Sequence, residues 1–149
     1  GGAESSAFFE WGGKNADGSA GFPDHRRGPP AWPLPIHDLL VKHRVSAVFH
    51  GHDHLYVHGE RDGVVYQCVP QPGNPAGNTR SAAQYGYVSG KVMGSPGHVR
   101  LRVTPKEVRV EFVGTTIQEL AQPSNRRNRD PNQSNNTVVD SYTIEREMP

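Results

Sequence analysis

Apolar and polar positions alternate most regularly in the second half of the chain. In His98-Val99-Arg100-Leu101-Arg102-Val103 and Glu107-Val108-Arg109-Val110-Glu111-Phe112-Val113, apolar residues fall at every second position. A period of two predicts paired strands with one buried and one wet face, joined by a turn at Thr104-Pro105-Lys106. Thr137 to Ile144 predicts a last strand. Earlier in the chain, Leu55-Tyr56-Val57-His58 and Val64-Val65-Tyr66-Gln67-Cys68-Val69 flank Glu60-Arg61-Asp62-Gly63, whose Asp-Gly pair is a strong hairpin signal. The period lengthens between Pro35 and His43. There Pro35 suits the first helical position, and Ile36, Leu39, Leu40 and His43 share one face. The short apolar run Val45-Ser46-Ala47-Val48-Phe49 then predicts a strand buried on both faces.

Between these elements the punctuation is dense. Residues 1–35 read as mostly loop, with Ala7-Phe8-Phe9-Glu10-Trp11 as a helical turn or strand end, and residues 70–97 as a second long connection. Residues 121–136 have little to bury and are expected to be mobile. Loops this long inside one domain are uncommon and point to function or disorder. With 17 glycines and 13 prolines the chain exceeds average usage yet stays below the disordered range. A length of 149 residues suits a single domain.

Charge and cysteine usage narrow the function classes. A net charge of +1 gives no electrostatic footprint for nucleic acid. No apolar run approaches the roughly 18 residues of a membrane helix, so no membrane span is expected. Cys68 is the sole cysteine, which excludes a disulfide framework and a thiolate metal cage.

Histidine carries the chemical signal. Four of the eight histidines, His50, His52, His54 and His58, lie within nine positions. Imidazoles at i and i+2 of an extended segment project to one side, and neutral imidazole is the commonest side-chain ligand for divalent transition metals. Gly51 is expected to let the backbone turn sharply there. Metal binding accounts for the cluster better than packing does, although histidines on a surface turn are the bland reading. His25, His37, His43 and His98 stand alone and read as structural.

Among His-x-His motifs, a metallo-β-lactamase pattern starting at His50 would need Asp and His where His54 and Leu55 stand. A cupin pattern needs a glutamate nearer to its second histidine than Glu60 is to His54. Gly51-His52-Asp53-His54 after a buried strand remains. With Val45 to Leu55, the strand from Val64 to Pro70, the 98–113 hairpin, the terminal Val139-Asp140-Ser141-Tyr142 and the Glu10-Trp11-Gly12-Gly13-Lys14-Asn15 loop, it resembles the calcineurin-like metallophosphoesterase superfamily, which includes the purple acid phosphatases.

The resemblance implies an α/β fold, residues 1–149 forming the C-terminal half of a four-layer α/β/β/α sandwich, mostly β in this portion. Within it, 36–70 would hold the helix, strand, metal loop and hairpin, and 98–146 the C-terminal strands. It further implies a hydrolase acting on phosphate mono- or diesters through two metal ions (Fe, Mn or Zn), with His52 and His54 as ligands, one to each metal. His50 is left between orienting a ligand and simply ending the strand. Arg26 and Arg27 are candidates for a substrate phosphate, since a guanidinium fork matches phosphate geometry, although a solvated loop pair is the commoner use of such residues.

The family's upstream motifs, Asp-x-His, Gly-Asp-x-x-Asp and Gly-Asn-His-(Asp or Glu), do not occur. With a chain opening on Gly1-Gly2-Ala3-Glu4, the expectation is a missing N-terminal half that carries the catalytic residues, leaving this portion inactive alone. The alternative is a non-catalytic metal-binding β-module, cupin-like or a degenerate phosphoesterase.

Overall fold

The structure is a computed structural model that describes residues 1–8, 14, 15, 17–19, 21, 34–73, 77–115 and 136–145. Two short helices, α1 (Gly2–Ser5) and α2 (Ile36–Lys42), accompany seven strands. Four of these, β1 (Ala47–His50), β2 (Leu55–Arg61), β3 (Val64–Cys68) and β4 (Lys91–Gly94), form one sheet in the order β1-β3-β2-β4. The other three, β5 (Gly97–Val103), β6 (Glu107–Gly114) and β7 (Thr137–Glu145), form an antiparallel sheet in chain order.

The hairpin signals are realised directly. Asp62 and Gly63 have φ of 50° and 77°, so both central residues of the β2–β3 turn are left-handed, as a two-residue turn matched to strand twist requires. β5 and β6 pair from Gly97 opposite Gly114 to Val103 opposite Val108, with 104–106 as the connection. β1 lies parallel to β3, with His50 opposite Cys68.

The sheets pack face to face through the alternate residues of β2. The Tyr56 ring stacks on Phe112 with centroids 4.5 Å apart, and its hydroxyl donates to Asp140 Oδ2 at 2.6 Å. Two residues along, the His58 ring stacks on Tyr142 at 3.7 Å, and the Tyr142 hydroxyl donates to Gln67 Oε1 at 2.9 Å. Lys91 Nζ donates to Asp140 Oδ1 at 2.6 Å. Phe112, Val110 and Tyr56 are fully buried in this layer. On the outer face of the second sheet, Arg100 and Arg109 both hold Glu111, the wet face expected of alternating strands.

The opposite face of the first sheet builds two apolar clusters. Leu55, Val57 and Cys68 meet Ala82 and Tyr87 from the segment before β4. Val64 and Tyr66 meet Ala3 of α1 and Leu40 of α2. Helices therefore cover one face of the first sheet and the second sheet covers the other. The molecule is mostly β with two sheets, and no helix covers the outer face of the second sheet among the described residues.

Several expectations are corrected. β1 is not buried on both faces. It is an edge strand, and Phe49 is 39% exposed, because no strand pairs with its free edge among the described residues. The 70–97 connection contains β4, which pairs with β2 from Leu55 opposite Gly94 to His58 opposite Lys91. Lys91-Val92-Met93-Gly94 is too short and mixed to announce itself as a strand. It exists because β2 offers it an edge. Pro35 is the N-cap of α2, outside the first helical turn. The buried residue of α2 is His37 and His43 is exposed, since the His37 ring is held between the Tyr66 hydroxyl at 2.6 Å and Asp62 Oδ2 at 2.8 Å. Residues 1–35 include one helical turn, α1. The segment expected to be mobile lies outside the described residues apart from Asn136.

Burial of His58 between the sheets pushes its imidazole below the ordinary value; Asp140 and Glu60 oppose this and Lys91 reinforces it. A histidine with a depressed folded pKa binds fewer protons than the unfolded chain. Its neutral state therefore supports the fold fully above about pH 6.5, and that support fades as pH falls toward the folded value. The urea midpoint is expected to drop between pH 7 and about pH 5.5, and His58→Phe, which keeps a ring on Tyr142, should flatten that drop. Equal slopes for the two proteins would show that His58 does not titrate with folding.

Candidate metal loop at the end of β1

Residues 51–54 leave the carboxyl end of β1, beside the parallel strand β3. Ligands gather at such strand ends in open α/β sheets because the chain must diverge there and leave a crevice. The segment is not extended. His52 has φ of 86° and His54 φ of 58°, both left-handed and both costly for a side chain with a Cβ. The argument that i and i+2 share one side of a strand therefore does not apply, and the two imidazoles are directed by a double bend. Gly51 needs no left-handed backbone, and a Cβ there would meet open space. The sharp turning falls to the histidines themselves.

Each histidine has a distinct surrounding. The His52 side chain is 88% exposed, with Nδ1 3.0 Å from Asp53 Oδ1. Asp53 is 12% exposed, and its Oδ2 accepts the Tyr87 hydroxyl at 2.6 Å. Burial alone would raise the Asp53 carboxyl, yet the Tyr87 hydroxyl and the His52 ring outweigh it and hold the pKa below the usual range. The same carboxylate, together with burial, pushes the Tyr87 phenol up. His54 is exposed, and its carbonyl accepts the Ser95 hydroxyl at 2.7 Å. His50 has a buried Nε2 with no hydrogen-bond partner among the described residues. Burial pushes the His50 pKa down, against the pull of Asp53. Beside the loop, His50, His52, Asp53 and Tyr85 line an open cleft of about 620 Å³.

The structure brings His50 and His52 to one cleft and sets His54 on the same loop. It takes His58 away to the sheet interface. No group of three or more His, Cys, Asp or Glu side chains forms a metal cage among the described residues. Arg26 and Arg27 lie outside those residues, as do Trp11 and His25. His37 is structural, as its two hydrogen bonds require, while His43 and His98 are exposed.

Three residues escaped the sequence reading. Asp53, flanked by two histidines, carried a hint. Tyr87 and Ser95, in the long connection, carried none. Ser95 is buried, donating to the His54 carbonyl and accepting the Gln71 amide at 2.9 Å, so it ties the loop to the segment after β3. Ser95→Ala leaves two groups without that partner and is expected to cost about 1–2 kcal/mol. Faster amide exchange at residues 51–55 than elsewhere in β2 is the check. Uniform acceleration would assign Ser95 to global stability alone.

Neither a protein-family model, nor a curated protein, nor a solved structure matches the chain.

Proposed function

We propose that this chain contributes His52 and His54 to a two-metal phosphoesterase centre acting on phosphate mono- or diesters, within the C-terminal half of a calcineurin-like α/β/β/α sandwich. The observation that carries the reading is the loop itself. Two exposed imidazoles sit at the carboxyl end of a parallel strand, next to a cleft whose wall includes a buried, unpartnered imidazole nitrogen.

The donors suit Fe, Mn or Zn, all of which accept imidazole. Their number falls short of a closed shell, so in this reading the remaining ligands and the acid/base group belong to an upstream portion of the same domain. Metals in such a centre polarise the phosphoryl oxygens and supply hydroxide near neutral pH. The part played by this chain is to present two imidazoles on a strained bend and to wall the cleft with His50. Burial disfavours the charged form of His50, which lessens its repulsion toward a cation in the cleft.

The second reading is a non-catalytic metal-binding β-module. It differs in placing every metal donor on this chain, and among the described residues no group of three or more His, Cys, Asp or Glu side chains comes together to supply them. Metal content by elemental analysis, with p-nitrophenyl phosphate hydrolysis, separates the two. The measurements are made on this chain and on one extended upstream by roughly 150 residues, a domain's length. About two metals and turnover in the longer protein alone, both abolished by His52→Ala with His54→Ala, is the expected result. One metal and no hydrolysis in both proteins would replace the enzyme with the module.

A further inference from the structure

Tyr85 and Tyr87 flank Gly86 in the segment before β4, and their rings go different ways. In an extended chain positions i and i+2 share a side. Gly86 instead has φ of 85°, a left-handed conformation that glycine adopts without steric cost. Tyr87 enters the cluster with Leu55, Val57 and Cys68 and is 3% exposed, whereas Tyr85 is 41% exposed and lines the cleft beside His50 and His52. The turn is tied from two sides. The Tyr85, Gly86 and Tyr87 amides donate to the carbonyls of Ser81, Ala83 and Ala82 at 3.0, 3.0 and 2.9 Å. Further along, one Glu4 oxygen of α1 accepts the Val88 amide, the Ser89 amide and the Ser89 hydroxyl at 3.1, 2.8 and 2.8 Å.

A lone exposed aromatic on a protein surface needs no explanation. One on a fixed turn in the wall of a cleft is different. Its backbone is already ordered and its ring has two torsions, so a ligand lying on it costs little further entropy. The cleft of about 620 Å³ falls within the roughly 300–1,000 Å³ usual for small-molecule sites. A phosphoryl group alone would leave most of that space empty. Among the described side chains lining it, Ser5, His50, His52, Asp53 and Gln84 are polar or titratable, and Tyr85 supplies the apolar face.

We propose that Tyr85 is a specificity-determining residue, a shelf on which a flat ring in the organic part of a phosphate ester stacks. The substrate class is then ring-bearing esters, aryl phosphates or nucleotides, over esters of aliphatic alcohols. Aromatic faces stack offset on one another and contribute beyond the area they bury. The inference deepens the phosphoesterase reading and rests on it for the phosphate; the ring shelf rests on the cleft and on the tied turn.

The test is titration of the full chain, labelled with nitrogen-15, with 2-naphthyl phosphate, adenosine monophosphate and glycerol 2-phosphate. The ring esters are expected to shift the amides of residues 84–86 and to bind about tenfold more tightly than the glycerol ester, the lower part of the range for stacking on an aromatic side chain. Tyr85→Ala should abolish that preference and Tyr85→Phe should keep it. Unchanged amide shifts in β2 and β3 certify that each variant is folded. Whichever ring ester binds more tightly names the source of the ring, since a nucleobase adds an edge for the Gln84 amide.

Equal binding of ring and glycerol esters overturns the inference, as does a preference that survives Tyr85→Ala or is lost in Tyr85→Phe. The upstream-extended protein separates this failure from that of the larger reading. Hydrolysis with equal KM for ring and glycerol esters keeps the phosphoesterase and overturns the shelf. A ring preference through Tyr85 in a protein that hydrolyses none of the three keeps the shelf and removes the phosphoesterase.

Discussion

Phe112→Ala is expected to lower stability by about 3–5 kcal/mol, the range for deleting a buried aromatic ring. Phe112 is fully buried and stacks at 4.5 Å, nearly parallel, on Tyr56 of the opposing sheet. It therefore contributes to the contact that joins the two sheets. Gly97 lies so close that any Cβ there would overlap the Phe112 ring, so the neighbouring strand leaves no slack. β6 cannot shift to fill the void without breaking its ladders to β5 and β7. A domain of this size is stable by only about 5–15 kcal/mol, so the variant should be close to unfolding at 37 °C. Urea unfolding is the measurement, with an unchanged m-value as the sign that only stability has moved. Phe112→Leu should cost markedly less. A loss under about 1 kcal/mol for the alanine variant would mean that the sheets do not pack through this ring.

Asp140→Ala is expected to cost about 2–3 kcal/mol, for a different reason. Its two oxygens accept the Tyr56 hydroxyl and the Lys91 ammonium, both at 2.6 Å. Tyr56 is fully buried, so its hydroxyl loses its partner and cannot turn to water. Lys91 is 52% exposed and can return to solvent, which keeps the cost below that of a wholly buried pair. Tyr56→Phe removes the stranded hydroxyl, so the double variant should be less destabilised than the sum by about 1–2 kcal/mol. Strict additivity would break the network as described. Burial works against the Asp140 carboxylate, yet the Lys91 and Tyr56 contacts outweigh it and hold the pKa below the usual range. Its contribution is therefore full above about pH 3.9 and is lost as pH falls through the folded value. Acid sensitivity in that window should vanish in Asp140→Asn.

These two residues show how a predictable strand acquires an unpredictable task. The alternation that marks β6 as a strand also puts Val110 and Phe112 on one face, to which pairing with β7 adds Tyr142. Nothing in it tells that Asp140, on that same inward row, would be matched by Lys91 from a strand the pattern did not reveal. The metal loop divides in the same way. Its histidines, and their place at the end of an apolar run, are visible in the sequence. The sequence points to Gly51 as the turning residue, whereas His52 and His54 take the left-handed backbone, with the His54 carbonyl held by the Ser95 hydroxyl from 41 residues along the chain.

What the sequence determined alone is therefore local. The Asp62-Gly63 turn, the β5–β6 hairpin, the last strand and α2 follow from turn chemistry and from periods of two or about 3.6 residues. These are short-range effects, complete within a few residues. Tertiary structure decided the rest. It paired Lys91–Gly94 with β2 because an edge was open, turned α2 so that His37 faces Tyr66, and left β1 at the sheet margin. It also brought Tyr87, 34 residues along the chain, against Asp53. Such contacts depend on which surfaces remain unpaired once the local elements have formed, and that is a property of the whole packed chain.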